Sequence, residues 1–206
     1  MAEDQAWLEQ TEAPVLRVYR WDRPTATIGY AQNLSRLKGE LPDWPVIRRW
    51  TGGGVVFHQG DFTYSLIVPA AHAWADTRPV DSYRMVHGSL AHALTDAGVE
   101  GARLAEPADV IDAPFCFVAP AVHDVIAGSV KLAGAGQRRS KIGLLHQGSV
   151  QQVKLGATFW HDWAALLATD VHLVKRLPPA IQARAEELDK KRYSLAEWLA
   201  SRDDRL

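Results

Sequence analysis

Side chains that could form covalent bonds or move protons are concentrated between Cys116 and His146. Cys116 is the only cysteine of the chain and lies between Pro114 and Pro120. Lys131 follows in a run of glycine and alanine residues, and two arginines separate it from His146. A nearby cation favours the thiolate form of cysteine, and the thiolate is the nucleophile. The segment therefore contains the components for chemistry on an activated acyl group.

Each of these residues also has a structural interpretation that the residue type alone leaves open. An unpaired cysteine is usually a small buried hydrophobic residue without reactivity. Lys131 could be an ordinary solvated lysine, and His146 could be a core histidine with both ring nitrogens bonded. The positions of Cys116 in a proline-bounded segment and of Lys131 among small residues favour the functional interpretation.

A second candidate site is the stretch Arg48-Arg49-Trp50-Thr51-Gly52-Gly53-Gly54. Three consecutive glycines lose much backbone entropy on folding, so they indicate a special backbone requirement. One explanation is a sharp turn between strands. The other is a loop whose backbone lies against a ligand, with arginine supplying charge for a carboxylate or phosphate. The paired arginines and the apolar strand that follows favour the ligand-binding loop.

Several common catalytic motifs are missing from the sequence. The piece Gly134-Ala135-Gly136 lacks the third glycine and the βαβ context of a dinucleotide fingerprint. No phosphate-binding P-loop or G-x-S-x-G elbow occurs. His87 and His92 do not have a metal-ligand spacing, and we expect both on a helix surface. The sequence thus predicts no metal site.

Composition limits the remaining classes. The chain has 206 residues, enough for one domain with a substantial core, and a formal charge of −1, which argues against a nucleic-acid-binding protein. A single cysteine excludes an intramolecular disulfide. The acidic start does not resemble a signal peptide, and no apolar run reaches the roughly 18 residues of a membrane helix. We therefore expect a cytoplasmic protein that does not bind membranes.

Hydrophobic periodicity predicts short strands interrupted by a few helices. Strands are expected near residues 14–21, 25–30, 46–49, 55–57, 62–68, 122–126, 131–137 and 142–150. The strands at 55–57 and 62–68 are predicted to form a hairpin through the turn at 58–61. Helices are expected at residues 1–11, 81–97, 161–169, 181–190 and from 194 onward. Without regular βαβ alternation, this order predicts an α+β fold with mixed or antiparallel sheets packed by helices.

The motifs together resemble one family. RRWTGGGVVFHQGDFTYSLIVP (48–69) resembles the Arg-Arg-x-Ser/Thr-Gly-Gly-Gly motif of the lipoate–protein ligase and octanoyltransferase superfamily, which is related to biotin protein ligases. VKLAGAGQRRSKIGLLHQGSV (130–150) is similar to its lysine segment, and residues 2–33 are similar to its start. The resemblance implies a single catalytic domain of the biotin/lipoate protein ligase type over residues 1–206.

Within this superfamily, the piece that begins at Cys116 resembles the cysteine-dependent octanoyltransferases, in which a Cys-Phe-x-x-Pro loop precedes the lysine segment. The resemblance implies that Cys116 is the nucleophile and that Lys131 holds the acyl carbonyl. It further implies substrate-binding positions at Arg49, Thr51, Gly52, Gly53, Gly54, His58, Gly134, Ala135, Gln137 and His146.

The resemblance also implies a reaction and its partners. The thiol would take an octanoyl group from octanoyl-acyl carrier protein, or a lipoyl group from acyl carrier protein, and pass it to a lysine of a lipoyl-domain protein, such as the glycine cleavage H protein or a 2-oxoacid dehydrogenase E2. No cofactor is expected. Two alternatives stay open: an ATP- and magnesium-dependent lipoate–protein ligase that works through an acyl-adenylate, and a non-catalytic accessory subunit.

Overall fold

A computed structural model describes residues 1–37, 39–110 and 119–206 of the chain. These residues contain a six-stranded antiparallel sheet with the strand order β1-β5-β9-β8-β7-β6. Strands β5 and β9 pair along their whole length, and β8 pairs with the other edge of β9. The strands are β1 (Val15–Tyr19), β5 (Phe62–Pro69), β6 (Ala102–Leu104), β7 (Val125–Ala127), β8 (Val130–Ser140) and β9 (Gly143–Val150).

A second, three-stranded sheet adjoins the loop formed by Gly52, Gly53 and Gly54, which we call the glycine loop. Its central strand β2 (Thr25–Ile28) pairs parallel with β3 (Val46–Arg48) and antiparallel with β4 (Val56–His58). The predicted α+β class with mixed and antiparallel sheets is therefore confirmed. The helices are α1 (Ala2–Gln10), α2 (Leu34–Leu37), α3 (Pro79–Asp96), α4 (Phe159–Leu167), α5 (Pro179–Leu188) and α6 (Ala196–Ser201).

Helix α3 shows how the sequence determines one of these elements. Pro79 occupies its first turn, where the missing N–H is not needed. Val86, Leu90 and Leu94 are spaced to bury one face against the large sheet. Gly98 ends the helix in the left-handed region, with φ of 87°.

The large sheet is covered on both faces, so its central strands alternate between two cores. Leu66 and Leu144 face the core that contains α3 and α4. Their neighbours Ile67 and Leu145 face the core that contains Leu8 of α1 and Trp198 of α6. This double burial explains why β5 and β9 lack the polar alternation of a half-exposed strand.

The predicted hairpin between β4 and β5 is wrong, although both strands exist. Strand β4 belongs to the small sheet and β5 to the large one. The turn between them carries the chain from one sheet to the other. In this turn Gly60 has φ of 84°, and His58 Nδ1 lies 2.7 Å from Asp61 Oδ2. Residues 63–69 are all buried, and this requires a central position between β1 and β9 that local periodicity cannot reveal.

Candidate active site

A cavity of about 180 Å³ receives side chains and backbone from both sheets. The small sheet contributes β2, β4 and the glycine loop, and the large sheet contributes β5, β8 and β9. The lining residues are Met1, Thr27, Arg49, Gly53, Gly54, Val56, His58, Thr63, Ala121, Asp124, Lys131, Gly134, Ala135, Gly136, Gln147, Gly148 and Ser149.

A buried ion pair forms one wall of this cavity. Lys131 Nζ lies 2.8 Å from Asp124 Oδ2, and both residues are less than a tenth exposed. The ammonium also donates to the Ala119 carbonyl at 3.3 Å, and Asp124 accepts from the Ala121 amide at 2.7 Å. The absent side chain of Gly134 makes room, since a Cβ there would lie 2.8 Å from Lys131 Cε. The pair therefore fixes an ammonium group beside the backbone of β8.

A chain of hydrogen bonds, which we call the cavity chain, runs through Arg49, Thr27, His58 and Asp61. Arg49 Nη1 donates to Thr27 Oγ1 at 2.6 Å, and Thr27 Oγ1 lies 2.9 Å from His58 Nε2. His58 Nδ1 lies 2.7 Å from Asp61 Oδ2. Because a carboxylate only accepts, the His58 ring donates from Nδ1 to Asp61.

Asp61 accepts hydrogen bonds from side chains other than His58. Ser149 Oγ donates to Asp61 Oδ2 at 2.6 Å, and Thr63 Oγ1 lies within 3.3 Å. Burial alone would raise the pKa of the Asp61 carboxyl, but the hydrogen bonds from His58, Ser149 and Thr63 outweigh burial and lower that pKa. Asp61 therefore carries a negative charge that His58 and the hydroxyl groups compensate.

These pairings determine what the cavity presents to a ligand. The hydroxyls of Thr63 and Ser149 are directed to Asp61, and the Lys131 ammonium is directed partly to Asp124. With their polar ends engaged, the side chains expose mainly carbon, next to the glycine backbone of the loop and of β8. Such a wall suits a hydrocarbon chain, and the Lys131 ammonium and the glycine backbone lie beside it.

A second chain of hydrogen bonds, which we call the core chain, links Gln137, His146, Tyr64 and His87 beneath the sheet. Gln137 Nε2 lies 2.9 Å from His146 Nδ1, and Tyr64 Oη lies 3.1 Å from His146 Nε2 and 3.0 Å from His87 Nε2. His87 Nδ1 donates to the His123 carbonyl at 2.6 Å. The carbonyl can only accept, so it sets the direction of the donors along the chain.

The core chain is electrically neutral. Burial lowers the pKa of His87, and burial, reinforced by the neighbouring His87 ring and the Arg139 charge, lowers the pKa of His146 well below 6.5. Burial also raises the pKa of Tyr64 well above its ordinary value. All three groups are therefore uncharged at neutral pH, and each of the two rings has one protonated nitrogen.

The structure brings together many of the residues that the sequence singled out. Arg49, Gly53, Gly54, His58, Lys131, Gly134 and Ala135 all line the cavity. Four do not: Gly52 packs against β8, Thr51 donates to Gln147, and Gln137 and His146 belong to the core chain. His146 lies on β9, within the predicted strand, but its ring belongs to the core chain and does not line the cavity. Cys116 lies outside the described residues.

Several cavity-region residues escaped the sequence analysis, among them Thr27, Asp61, Asp124 and Ser149. Asp124 is close to Lys131 in sequence, and a carboxylate near a lysine among small residues was the available signal. His87 was expected on the surface of α3 but is fully buried. Its position in the helix, one residue after Val86, offered no signal for the tyrosine that it contacts on β5.

Two further features bear on the class of site. Within the described ranges, no group of three or more His, Cys, Asp or Glu residues is arranged to hold a metal ion. No helix in the same ranges is long and apolar enough to cross a bilayer.

The fold and cavity define an α+β domain with a buried lysine and a glycine loop around a largely carbon-lined pocket. Residues 1–152 match the family model described as the lipoyl protein ligase A/B catalytic domain. The chain belongs to this family.

Individual relatives support the same assignment. The chain is 32% identical over 167 residues to "Octanoyltransferase LipM" of Staphylococcus epidermidis, a match that covers 74% of this chain and 60% of the relative. The chain thus spans about 60% of the length of this curated relative.

Solved structures share the fold. A lipoate–protein ligase A bound with ATP has a TM-score of 0.74 at 22% identity, covering 98% of this chain and 93% of that one. The bipartite lipoate protein ligase of Thermoplasma acidophilum, studied with its E2 lipoyl domain, has a TM-score of 0.66 at 20% identity, covering 100% and 92%.

Proposed function

We propose that this chain transfers an octanoyl or lipoyl group from a carrier-protein thioester to a lysine of a lipoyl-domain protein. The observation that carries the proposal is the cavity itself, where a buried ammonium and a glycine loop adjoin walls whose polar side chains are engaged with one another. A straight acyl chain fits such walls, and its carbonyl is the one strongly polar group that needs partners. The relatives named octanoyltransferase support the same choice.

Chemically, the reaction consists of two displacements. We propose that the Cys116 thiolate attacks the donor carbonyl, a carbon–sulfur bond forms, and the carrier leaves as a thiolate that takes up a proton. The acceptor lysine, as the free amine, then attacks the new thioester. A carbon–nitrogen bond forms, the bond to Cys116 breaks, and the proton lost by the amine balances the one needed by the sulfur.

Lys131 has the role of an electrostatic partner for the carbonyl in this proposal. Each displacement passes through a tetrahedral species with negative charge on oxygen, and a fixed donor that needs no reorganisation stabilises such a charge. Asp124 holds the ammonium in place, so the donor is positioned before substrate binds. No metal or nucleotide takes part in this scheme.

The direct test is the mass of the intact protein after incubation with octanoyl-carrier protein. We expect one octanoyl adduct on the wild-type protein and none on Cys116→Ala, because no other thiol exists in the sequence. Cys116→Ser serves as the isosteric control for folding. An unmodified wild-type protein, or an equal adduct on Cys116→Ala, would reject the thioester step.

An ATP-dependent lipoate–protein ligase is the second candidate, because the matching family model includes the ligase A type. A ligase would release pyrophosphate in the presence of lipoate and ATP and would tolerate Cys116→Ala. The two candidates therefore differ in donor and in the need for the cysteine.

A further inference from the structure

Arg49 grips the backbone of the glycine loop. Its Nη2 donates to the carbonyl of Gly52 at 3.2 Å and to the carbonyl of Gly54 at 2.8 Å. Its other terminal nitrogen donates to Thr27 Oγ1, so the guanidinium has three fixed acceptors on two sides. A planar guanidinium can hold this geometry because its donors have fixed directions.

Two other glycines hold the remaining parts of the loop. A Cβ on Gly29 would lie 1.9 Å from the Gly53 carbonyl oxygen, and a Cβ on Gly136 would lie 2.4 Å from the Gly52 carbonyl oxygen. Both positions must therefore lack a side chain, because the loop backbone packs directly on them. The loop is held between the small sheet and strand β8.

The orientation of the carbonyls determines the orientation of the amides. In a trans peptide the C=O of one residue and the N–H of the next point in opposite directions. Arg49 holds the Gly52 carbonyl and thereby fixes the Gly53 N–H, whereas its bond to the Gly54 carbonyl fixes the Val55 N–H. The Gly54 N–H is fixed by the Gly53 carbonyl, which packs on Gly29. Gly53 and Gly54 both line the cavity, and neither N–H donates to an acceptor anywhere in the described part of the chain. By contrast, the Gly52 amide is already bonded to the Gln137 carbonyl.

The cavity chain in turn holds Arg49. Thr27 accepts from the guanidinium, His58 lies beyond Thr27, and Asp61 anchors His58. Asp61 is itself tied to Ser149 on β9. The chain thus connects the glycine loop to the large sheet through side chains that are all less than a tenth exposed.

We infer that Arg49 is a positioning residue: through the Gly52 carbonyl it orients the Gly53 amide, next to the Gly54 amide that packing on Gly29 fixes, toward the carbonyl oxygen of the acyl group, and it does not bind an anionic substrate through its charge. The inference rests on the proposed function for the identity of that oxygen. Thr27, His58 and Asp61 act through Arg49 in this arrangement. The amides complement the Lys131 ammonium as donors to the developing oxyanion.

Arg49→Lys distinguishes positioning of the loop from binding of an anion through charge. Lysine keeps the positive charge but lacks the two terminal nitrogens that bond to Thr27 and to the loop carbonyls. We expect kcat for octanoyl transfer to fall by roughly 10²-fold, the size of effect seen when an oxyanion donor is lost, with KM changed by less than about threefold. Arg138→Lys is the matched control, since Arg138 packs on Tyr30 and Trp50 without lining the cavity. It should leave both constants unchanged. A rise in KM at constant kcat would overturn the inference and indicate that Arg49 binds substrate through its charge. Full activity of Arg49→Lys would indicate that the guanidinium has no role in transfer.

A substrate whose carbonyl oxygen is replaced by sulfur tests whether the loop amides donate hydrogen bonds to that position. Sulfur accepts hydrogen bonds more weakly than oxygen, so the wild-type protein should prefer an octanoyl thioester to the matching dithioester by more than Arg49→Lys does. An unchanged preference alongside a lower kcat would mean only general disruption and would contradict the positioning role.

The link to the cavity chain has its own matched pair. Thr27→Val keeps the shape of the side chain but removes the oxygen that Arg49 and His58 contact, whereas Thr27→Ser keeps it. We expect a loss of kcat in Thr27→Val, smaller than in Arg49→Lys, and near wild-type kcat in Thr27→Ser. Equal activity of the two variants would remove Thr27 from the arrangement.

A spectroscopic measurement keeps the inference testable apart from turnover. The sequence has 15 glycines, so a ¹⁵N-glycine-labelled sample gives a simple amide spectrum. Arg49→Lys should shift the Gly52, Gly53 and Gly54 signals, and Arg138→Lys should leave those of Gly53 and Gly54 in place. If the wild-type protein transfers no octanoyl group, the proposed function fails while this spectrum still decides whether Arg49 orients the loop; unshifted loop signals would refute it.

Discussion

The cavity chain and the core chain are both buried, and both contain histidine, yet they differ in charge. The cavity chain begins at the Arg49 guanidinium and ends at the Asp61 carboxylate. The core chain runs through neutral groups and ends at a backbone carbonyl. Of these two chains, the charged one lies at the cavity and the neutral one lies beneath the sheet. Other buried charges, such as that of Arg48, lie away from the cavity, so the contrast concerns these two chains alone.

The largest effect on stability should come from breaking the charged pair at the cavity. Lys131→Met leaves Asp124 buried without its cation, and removing one partner of such a pair costs about 3–5 kcal/mol. The double variant Lys131→Met/Asp124→Leu should recover most of this loss in urea unfolding but none of the octanoyl transfer. Recovery of activity in the double variant would exclude an electrostatic role for Lys131.

The contribution of the core chain to the free energy of unfolding should depend on pH near neutrality. The folded-state pKa values of His87 and His146 lie below the ordinary 6.5, so the unfolded chain binds more protons as the pH falls. Their contribution to stability is complete above pH 6.5 and is lost below it, by up to about 1.4 kcal/mol per pH unit for each histidine. Urea unfolding at pH 7 and pH 5 measures this slope.

His146→Gln should reduce that slope, and His92→Gln on the exposed face of α3 should not. The cavity chain behaves differently, because the lowered pKa of Asp61 keeps its contribution intact until the pH falls below about 3.8. Identical slopes for the wild-type protein and His146→Gln would contradict the neutral assignment of the core chain.

Removing the central hydroxyl of the core chain should weaken folding without stopping catalysis. Tyr64→Phe leaves the Nε2 atoms of His87 and His146 without their shared partner, which costs about 1–3 kcal/mol. Activity should stay within about threefold of wild type, equivalent to roughly 0.6 kcal/mol in the barrier. Thermal unfolding and octanoyl transfer on the same samples check both values. A much larger loss of activity would mean that the core chain, like the cavity chain, affects catalysis.

The smallest effect should come from the surface of α3. His92 and Asp96 form a pair at 3.3 Å with both side chains 65% exposed. Pairs of this kind contribute little, so His92→Gln should change the free energy of unfolding by less than about 0.5 kcal/mol. A larger change, measured by urea unfolding, would show that the helix surface matters to the chains beneath it.

The sequence predicted most of the strands and helices because their periodicity is local. It did not predict which strands pair: β4 and β5 are adjacent in sequence but lie in different sheets. Partner choice depends on burial of β5 from both sides, and that burial comes from helices far away in the chain.

For the site, the glycine loop and Lys131 were recognisable because unusual residue types occur there in runs. The partners of these residues were not. Asp124, Thr27 and Asp61 are common residue types whose importance comes only from the distances that folding creates. Likewise, His87 and His146 meet through Tyr64 from three separate elements, so no spacing in the sequence could indicate the core chain.

The proposal of a cysteine-bound acyl intermediate is tested most directly by following the acceptor. A lipoyl domain is incubated with octanoyl-carrier protein and either wild-type protein or Cys116→Ala, without nucleotide, and its mass is measured. We predict an octanoylated lysine with the wild-type protein alone. Modification that requires ATP, or that proceeds equally with Cys116→Ala, would contradict the account.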